Sequence, residues 1–575
     1  MTRVLYLTWA IIFIAAGTLL RIADYARCAS GWEDEISLIV SFLDRGYGEL
    51  VRPLSSGQVA PVGFLLIEKF LQQVFGASEY SLRLFPVLTG IAALPLVWIA
   101  ARKLIGPWPA LLALALVSFS PSTLRHSAEV KQYGVELFVT AGLLVLAAYS
   151  PQRLTVRRAV LLTFAGIVAI SLSNPALYVL AGFGLLLVLR AFERRAPAAE
   201  WMMLAGIGTV WLGFFGAVYV LLFAPTLAPG AYMDQFWGPT MLNAQSSVAV
   251  AARLVLDGIL HPVVALDGRV GLPLYVASAV LFLAGAIAAA RKRELVCLCL
   301  FPLLLALGAA LAGKYNFSPR LMTYAIPLVS LLMANALSWA EPLAERSTKA
   351  ALVFVGFCLV FVLLPVKADV FVLRHEIQSF REGVQFALQQ HRTGDAVYLY
   401  SRSVPGWMYY STDWRHPDYQ RLAWLAEVSR LTGPNGGNRP SRNGQVQNEG
   451  AEFHRPYRGG WELVGVGEGI FRSSIGEENH PPDPGWVENE YARMARDSRS
   501  GRVILIGFTP GAHGVVDLLD YCRSQGAEVV ANYRGPGAVV AVLELRQEVQ
   551  ASSIGKGGDE NGTEKRDIHP GQYQQ

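Results

Sequence analysis

The sequence predicts an α-helical polytopic membrane protein with a carboxy-terminal extracytoplasmic α/β domain. Three observations predict it. Charged residues make up only 16% of the 575 residues and hydrophobic ones 53%, with a mean hydropathy of +0.36. A soluble globular chain carries about 25% charge. Apolar runs long enough to cross about 30 Å of hydrocarbon recur through the first two thirds. From about residue 369 the pattern changes to short β-like runs alternating with helical ones.

About eleven spans are expected, near 4–24, 81–101, 107–121, 128–149, 157–172, 174–190, 201–224, 271–290, 294–313, 321–340 and 348–366. The pair around Asn174-Pro175 also reads as one re-entrant hairpin. The first span has only Arg3 ahead of it and weak cleavage candidates behind it, so it reads as uncleaved. Two further apolar pieces, 36–44 and 62–75, are too short or too polar to span and read as helices lying in the outer interface plane. Basic residues fall in alternate loops: Arg102-Lys103, Arg153/Arg157/Arg158, Arg190/Arg194/Arg195, Arg291-Lys292-Arg293 and Arg346/Lys349. By the positive-inside rule these loops and the amino terminus are cytoplasmic. The other loops, with the carboxy-terminal domain, then face outward.

The expected organisation is a transmembrane domain over 1–368 with interfacial helices at about 35–75, an α/β domain over 369–548 and a disordered tail over 549–575. In the second domain, 396–400, 503–506 and 539–543 read as strands, and 376–390 and 515–525 as helices. A right-handed βαβ unit is expected near its end. The stretch 431–455, rich in Gly, Asn, Pro and Arg, reads as a loop. A net charge of +5 is small for this length and, with no basic aromatic stripe, excludes a nucleic-acid binder. The five cysteines are scattered, so neither a disulfide framework nor zinc spacing is visible.

The polar residues that call for explanation all lie in the outer loops. Trp32-Glu33-Asp34-Glu35 follows the first span, Arg125-His126-Ser127-Ala128-Glu129-Val130-Lys131-Gln132-Tyr133 opens the fourth, and Lys314 to Arg320 precedes Tyr324 and Pro327. Ionisable groups at span ends are costly unless they pair or face a wet cavity. Glu129 and Tyr133, four apart, are expected on one helix face with Lys131 turned away. Such a mixture of acids and cations suits transfer from a lipid-phosphate-linked sugar. The phosphodiester is already a good leaving group, so one carboxylate suffices to take the proton of the attacking hydroxyl. Fixed cations stabilise the phosphate charge that develops. Asp34 fits the base; Lys131 and Arg320 fit the phosphate clamp, with Lys69 or Arg125 as substitutes. Plainer readings stand beside these. The acids serve a helix dipole, Glu129 and Lys131 snorkel as a pair, Arg320 anchors headgroups, Glu68-Lys69 is a polar helix face, and His126 and His261 are surface histidines.

Trp32-Glu33-Asp34-Glu35 resembles the Asp-Glu signature of the polytopic GT-C glycosyltransferases. More narrowly it resembles bacterial members related to protein O-mannosyltransferases and to the aminoarabinose transferase of lipid A. Three further pieces follow in order: Ala60-Pro61-Val62-Gly63-Phe64-Leu65-Leu66, Gly76 to Pro86 with Glu79 and Arg83, and Ser120-Pro121 to Tyr133. Arg320, Tyr324 and Pro327 are similar to a late Arg-Tyr…Pro element. The resemblance covers about residues 1–340 and implies a polyprenyl-phosphate-sugar-dependent transferase with a periplasmic site. It implies Asp34 as base, Glu35 orienting it or the acceptor, Glu129 as second acid, and Lys131, Tyr133, Arg320, Lys69, Trp32 and Arg125 as substrate-binding. The acceptor would be an envelope glycan, lipid or protein. No divalent metal is required by the sequence. A lipid-linked-sugar flippase and a non-catalytic assembly protein are the rival classes. Two departures stand out: Pro61 is single where relatives commonly have two prolines, and Glu33 is an extra acid.

Overall fold

The computed structural model describes the chain apart from residues 1, 44, 55–57, 226–240, 243–247, 265–270, 375–376, 393, 401–402, 413–469, 473–483, 499, 509–512 and 546–575. The expected loop at 431–455 and the tail at 549–575 lie outside the described residues. Of those described, the ones within Met1–Val384 and Pro405–Gln447 form one compact unit, and those within Gln385–Val404 and Asn448–Gln575 a second.

The first unit is helical. α1 (Thr2–Arg27), α2 (Glu33–Leu43), α3 (Val62–Phe75), α4 (Glu79–Ile105), α5 (Pro107–Phe119), α6 (Pro121–Ser127) and α7 (Tyr133–Ala148) bear on the site. Then come α8 (Val156–Leu172), α9 (Ala176–Glu193), α10 (Ala198–Phe223), α11 (Val248–Leu260), α12 (Gly271–Ala289), α13 (Arg293–Leu311), α14 (Ile326–Asn335), α15 (Glu341–Arg346) and α16 (Thr348–Arg374). Among the described residues six helices are long and apolar enough to cross a membrane, or up to eight if each of two bent pairs counts as one span. The chain is therefore a multi-pass membrane protein. The count falls short of eleven because apolar runs are cut into shorter helices. Pro121, which cannot continue the hydrogen-bond ladder of α5, restarts the chain as α6 at a bend of 52°.

α4 organises this unit. Its 27 residues rise about 40 Å, more than about 30 Å of hydrocarbon needs. Ser78 caps its first turn through Ser81 N–H, and Arg102 and Lys103 close the other end. α4 packs most extensively on α7 and α5. α2 is not the surface helix expected. It is buried over Glu35–Ile39 and Ser41–Leu43, its polar Glu35, Ser37 and Ser41 included. α3 does divide by face: Phe64, Leu65 and Leu71 are buried while Phe70, Val74 and Phe75 are exposed. α11 lies inside what the sequence suggested was only an outer loop.

The second unit carries β1 (Ala396–Leu399), β2 (Ile470–Arg472), β3 (Arg502–Gly507), β4 (Glu528–Gly535) and β5 (Ala538–Glu544) in the order β2-β1-β3-β5-β4. α17 (Phe380–Gln390) leads into β1 and α18 (Val404–Ser411) follows it. α19 (Pro484–Asp497) precedes β3, and α20 (His513–Ser524) lies between β3 and β4. β1 pairs parallel with β2 and β3, whereas β5 pairs antiparallel with both β3 and β4. The expected βαβ unit is thus split. β3, α20 and β4 form the crossover, and β5 occupies the place between its two strands. β4 was missed because its burial alternates along an edge strand, with no apolar run to read.

Candidate active site

The site is built where α2, the segment between α6 and α7, and the stretch before Tyr324 meet. Asp34 stands in the first turn of α2, a turn of three acids that the helix dipole favours. Its two oxygens are shared between two cations. Lys131 Nζ lies 3.1 Å from Oδ1 and Arg320 Nη1 donates to Oδ2 at 2.9 Å. Gln58 links acid and lysine, donating to Asp34 Oδ1 at 3.2 Å and accepting from Lys131 Nζ at 2.8 Å.

Exposure separates the three charges. The Asp34 and Arg320 side chains keep 21% and 26% of their surface, but Lys131 only 4%. Burial works to raise the Asp34 carboxyl, yet the Lys131 and Arg320 charges overcome it and hold it below the ordinary carboxylate range. Burial pulls Lys131 down despite the Asp34 charge beside it. Asp34 thus stands between two cations at a partly open surface. That is an anion-binding arrangement.

Glu35, the next residue, is sealed. Arg83 grips it with two parallel bonds of 2.7 Å, and Val130 N–H donates to Oε1 at 2.9 Å. The bond to Val130 ties α2 to the segment that presents Lys131. Glu129 is also saturated, by Arg125 Nε and His126 Nδ1, each at 2.8 Å. Burial raises its carboxyl, but Arg125 and His126 bring it far down. Arg125 in turn lies over the Trp32 ring, 5.2 Å from its centroid. Residues 128–132 are non-helical, so Glu129 and Tyr133 do not share the helix face expected. α6 ends at Ser127 and α7 begins only at Tyr133, whose ring packs 4.8 Å from that of His126. Gly134 permits this close return, since a Cβ there would lie 2.8 Å from the His126 carbonyl.

Lys69 is placed away from Asp34. Its Nζ donates to the Leu43 carbonyl at 2.6 Å, at the far end of α2, about 14 Å down the helix axis from Asp34 at 1.5 Å per residue. It satisfies orphan acceptors of the helix end. Sequence reasoning missed Gln58, which carries no local signal. It took His126 for a surface residue, although the ring is buried, and gave Arg83 no role in the site. The three-residue spacing of His126 and Glu129 could have flagged that pair. Among the described residues no group of three His, Cys, Asp or Glu could hold a metal ion.

Fold and site together define a multi-pass membrane protein with a cation-rich polar site at its span ends. No family model matches the chain, and no curated protein does. Solved structures are similar to it. ArnT from Cupriavidus metallidurans, in the apo state and bound to undecaprenyl phosphate, is 14% identical with TM-scores of 0.48 and 0.49, over 93% of this chain and 98% of that one. The Archaeoglobus fulgidus oligosaccharyltransferase in complex with Zn and sulfate is 13% identical with a TM-score of 0.44, over 70% of this chain and 61% of that one. At these identities and TM-scores the likenesses carry no argument about chemistry, which rests on the site itself.

Proposed function

We propose that the chain is an integral-membrane, inverting glycosyltransferase. It moves one sugar from a polyprenyl-phosphate donor to a hydroxyl of an envelope glycan, lipid or protein on the outer face of the plasma membrane. The observation that supports this reading is the Asp34 carboxylate held jointly by Lys131 and Arg320 at a partly open surface.

In this reading the donor phosphate takes the two cations as its clamp and frees the Asp34 carboxylate. The acceptor oxygen then attacks the anomeric carbon from the face opposite the phosphate. The new carbon–oxygen bond forms as the bond to phosphate breaks, and the acceptor proton passes to Asp34. The polyprenyl phosphate leaves carrying the electron pair, its charge met by Lys131 and Arg320. No general acid is required. Glu35 fixes α2 through Arg83, and Glu129 holds Arg125 over Trp32, so both act by support.

The test is release of free polyprenyl phosphate from a mixed pool of polyprenyl-phosphate sugars with envelope extract. Wild type is expected to release it and Asp34→Asn to fall about a hundredfold or more. Equal release by the two proteins removes Asp34 as base. Binding without release from any donor removes the transferase reading.

A further inference from the structure

The loop that carries Asp34 into place is held from a distant part of the same unit. From Cys28 to Glu33 five backbone or side-chain groups are tied to residues some 350 positions away. Arg381 donates from both terminal nitrogens to the Cys28 carbonyl at 3.0 Å, and from Nη2 also to the Ala29 carbonyl at 3.3 Å. Arg381 N–H donates to Ser30 Oγ at 3.0 Å. Gly31 N–H donates to the Tyr410 hydroxyl at 2.7 Å, and Glu33 N–H donates to Gln378 Oε1 at 2.5 Å. The last bond supplies something the local sequence lacks. α2 opens with unsatisfied N–H groups, and Trp32, which precedes it, has no side-chain acceptor with which to cap them.

The clasp is closed on itself and on α4. Arg381 pairs with Glu79 at 2.5 Å, and the Tyr410 hydroxyl donates to the same carboxylate at 2.8 Å. Glu79 and Arg83 sit one turn apart on α4, and Arg83 reaches both the Ala29 carbonyl and Glu35. The fit leaves no slack. A Cβ at Gly31 would lie 2.4 Å from Ile36 and 3.3 Å from the Tyr410 hydroxyl, and one at Gly406 would lie 2.6 Å from the Phe380 ring. Cys28 is held at φ 49°, a left-handed conformation that a non-glycine residue keeps only when its surroundings enforce it.

We propose that Gln378, Arg381 and Tyr410 are positioning residues that set the first turn of α2, and so the Asp34 carboxylate, against Lys131 and Arg320. This rests on the proposed transferase reading for its catalytic part. Gln378 and Arg381 precede β1 in the chain and Tyr410 follows it.

The experiment uses the full-length protein and three readouts: kcat for polyprenyl phosphate release, Kd for polyprenyl phosphate, and amide exchange at Gly31 and Glu33. Gln378→Leu and Tyr410→Phe are each expected to lower kcat about tenfold or more, since small displacements of a reacting group are costly. Kd should stay within about twofold, because the cations that hold phosphate are untouched. Exchange at Gly31 and Glu33 should quicken while the interior of α4 stays protected. Gln378→Glu keeps an acceptor for the Glu33 N–H and is expected to recover most of kcat. Full kcat in Gln378→Leu, equal loss in Gln378→Glu, or loss of phosphate binding alongside kcat would overturn the proposal. Unchanged exchange in both variants would overturn the clasp itself. A wild type that releases nothing while the variants show quickened exchange would instead remove the transferase reading and uphold the clasp.

Discussion

Asp34 and Glu35 are neighbours in one helical turn and both meet cations, yet they end in opposite states. Glu35 is wholly buried, with a bidentate arginine and a backbone N–H occupying its oxygens. Asp34 keeps a fifth of its surface and divides its charge between two cations. A carboxylate whose acceptor sites are filled in a dry environment fixes structure; breaking it strands a buried charge. One that shares partly wet cations can exchange partners for an incoming anion at small cost. A third acid nearby sharpens the contrast. Glu68 is fully buried, neither of its oxygens has a hydrogen-bond partner among the described residues, and burial, with the Glu35 charge adding, raises its carboxyl well above the ordinary range.

The largest effect expected from this contrast is on turnover. Asp34→Asn should lose about two orders of magnitude or more in polyprenyl phosphate release, with its unfolding midpoint within a few degrees of wild type. A large fall in thermal stability instead would make Asp34 structural like its neighbour. Next comes stability itself. Arg83→Met leaves Glu35 buried without its ion-pair partner and should cost about 3–5 kcal/mol, read from thermal unfolding in detergent; a loss below about 1 kcal/mol would dissolve the distinction between the two acids.

Removing the Arg320 fork should weaken polyprenyl phosphate binding by about tenfold or more, the scale of one charge-assisted hydrogen bond. Arg320→Lys, which keeps the charge but not the geometry, should lose less than Arg320→Ala. Titration calorimetry on the three proteins decides this, and equal affinity throughout would take Arg320 out of the clamp.

The smallest effect is at Glu68. An acid whose carboxyl is raised on folding holds a proton that the unfolded chain has released. Its stability contribution is therefore lost as pH rises above the ordinary glutamate value, about 4.3. Glu68→Gln should be the more stable protein at neutral pH, and the gain should vanish below about pH 4. A gain that persists in acid would mean that titration is not its source.

Much of the first unit was legible because long apolar runs with basic loops between them leave few alternatives in a bilayer. Each of the expected spans falls on a helix, wholly or in part. The sequence also placed Asp34, Lys131 and Arg320 in three loops expected to face the same side, and the fold brings these three into contact. Their chemical types were enough to suggest an anion clamp before any distance was known.

Only the tertiary structure decided how the charges are divided. Glu35 and Glu129 carry the same group as Asp34, and nothing local distinguishes them; Arg83, Val130, Arg125 and His126 do so by filling their oxygens. Lys69 read as a substitute for Lys131 in the phosphate clamp, but α3 delivers it to the far end of α2. The missing cap of α2 is supplied by Gln378 from across the unit, and a split crossover places β5 between β3 and β4. The reason is common to all of these. Composition and periodicity report how one segment meets lipid or water, whereas hydrogen-bond partners hundreds of residues apart are fixed only when the segments pack.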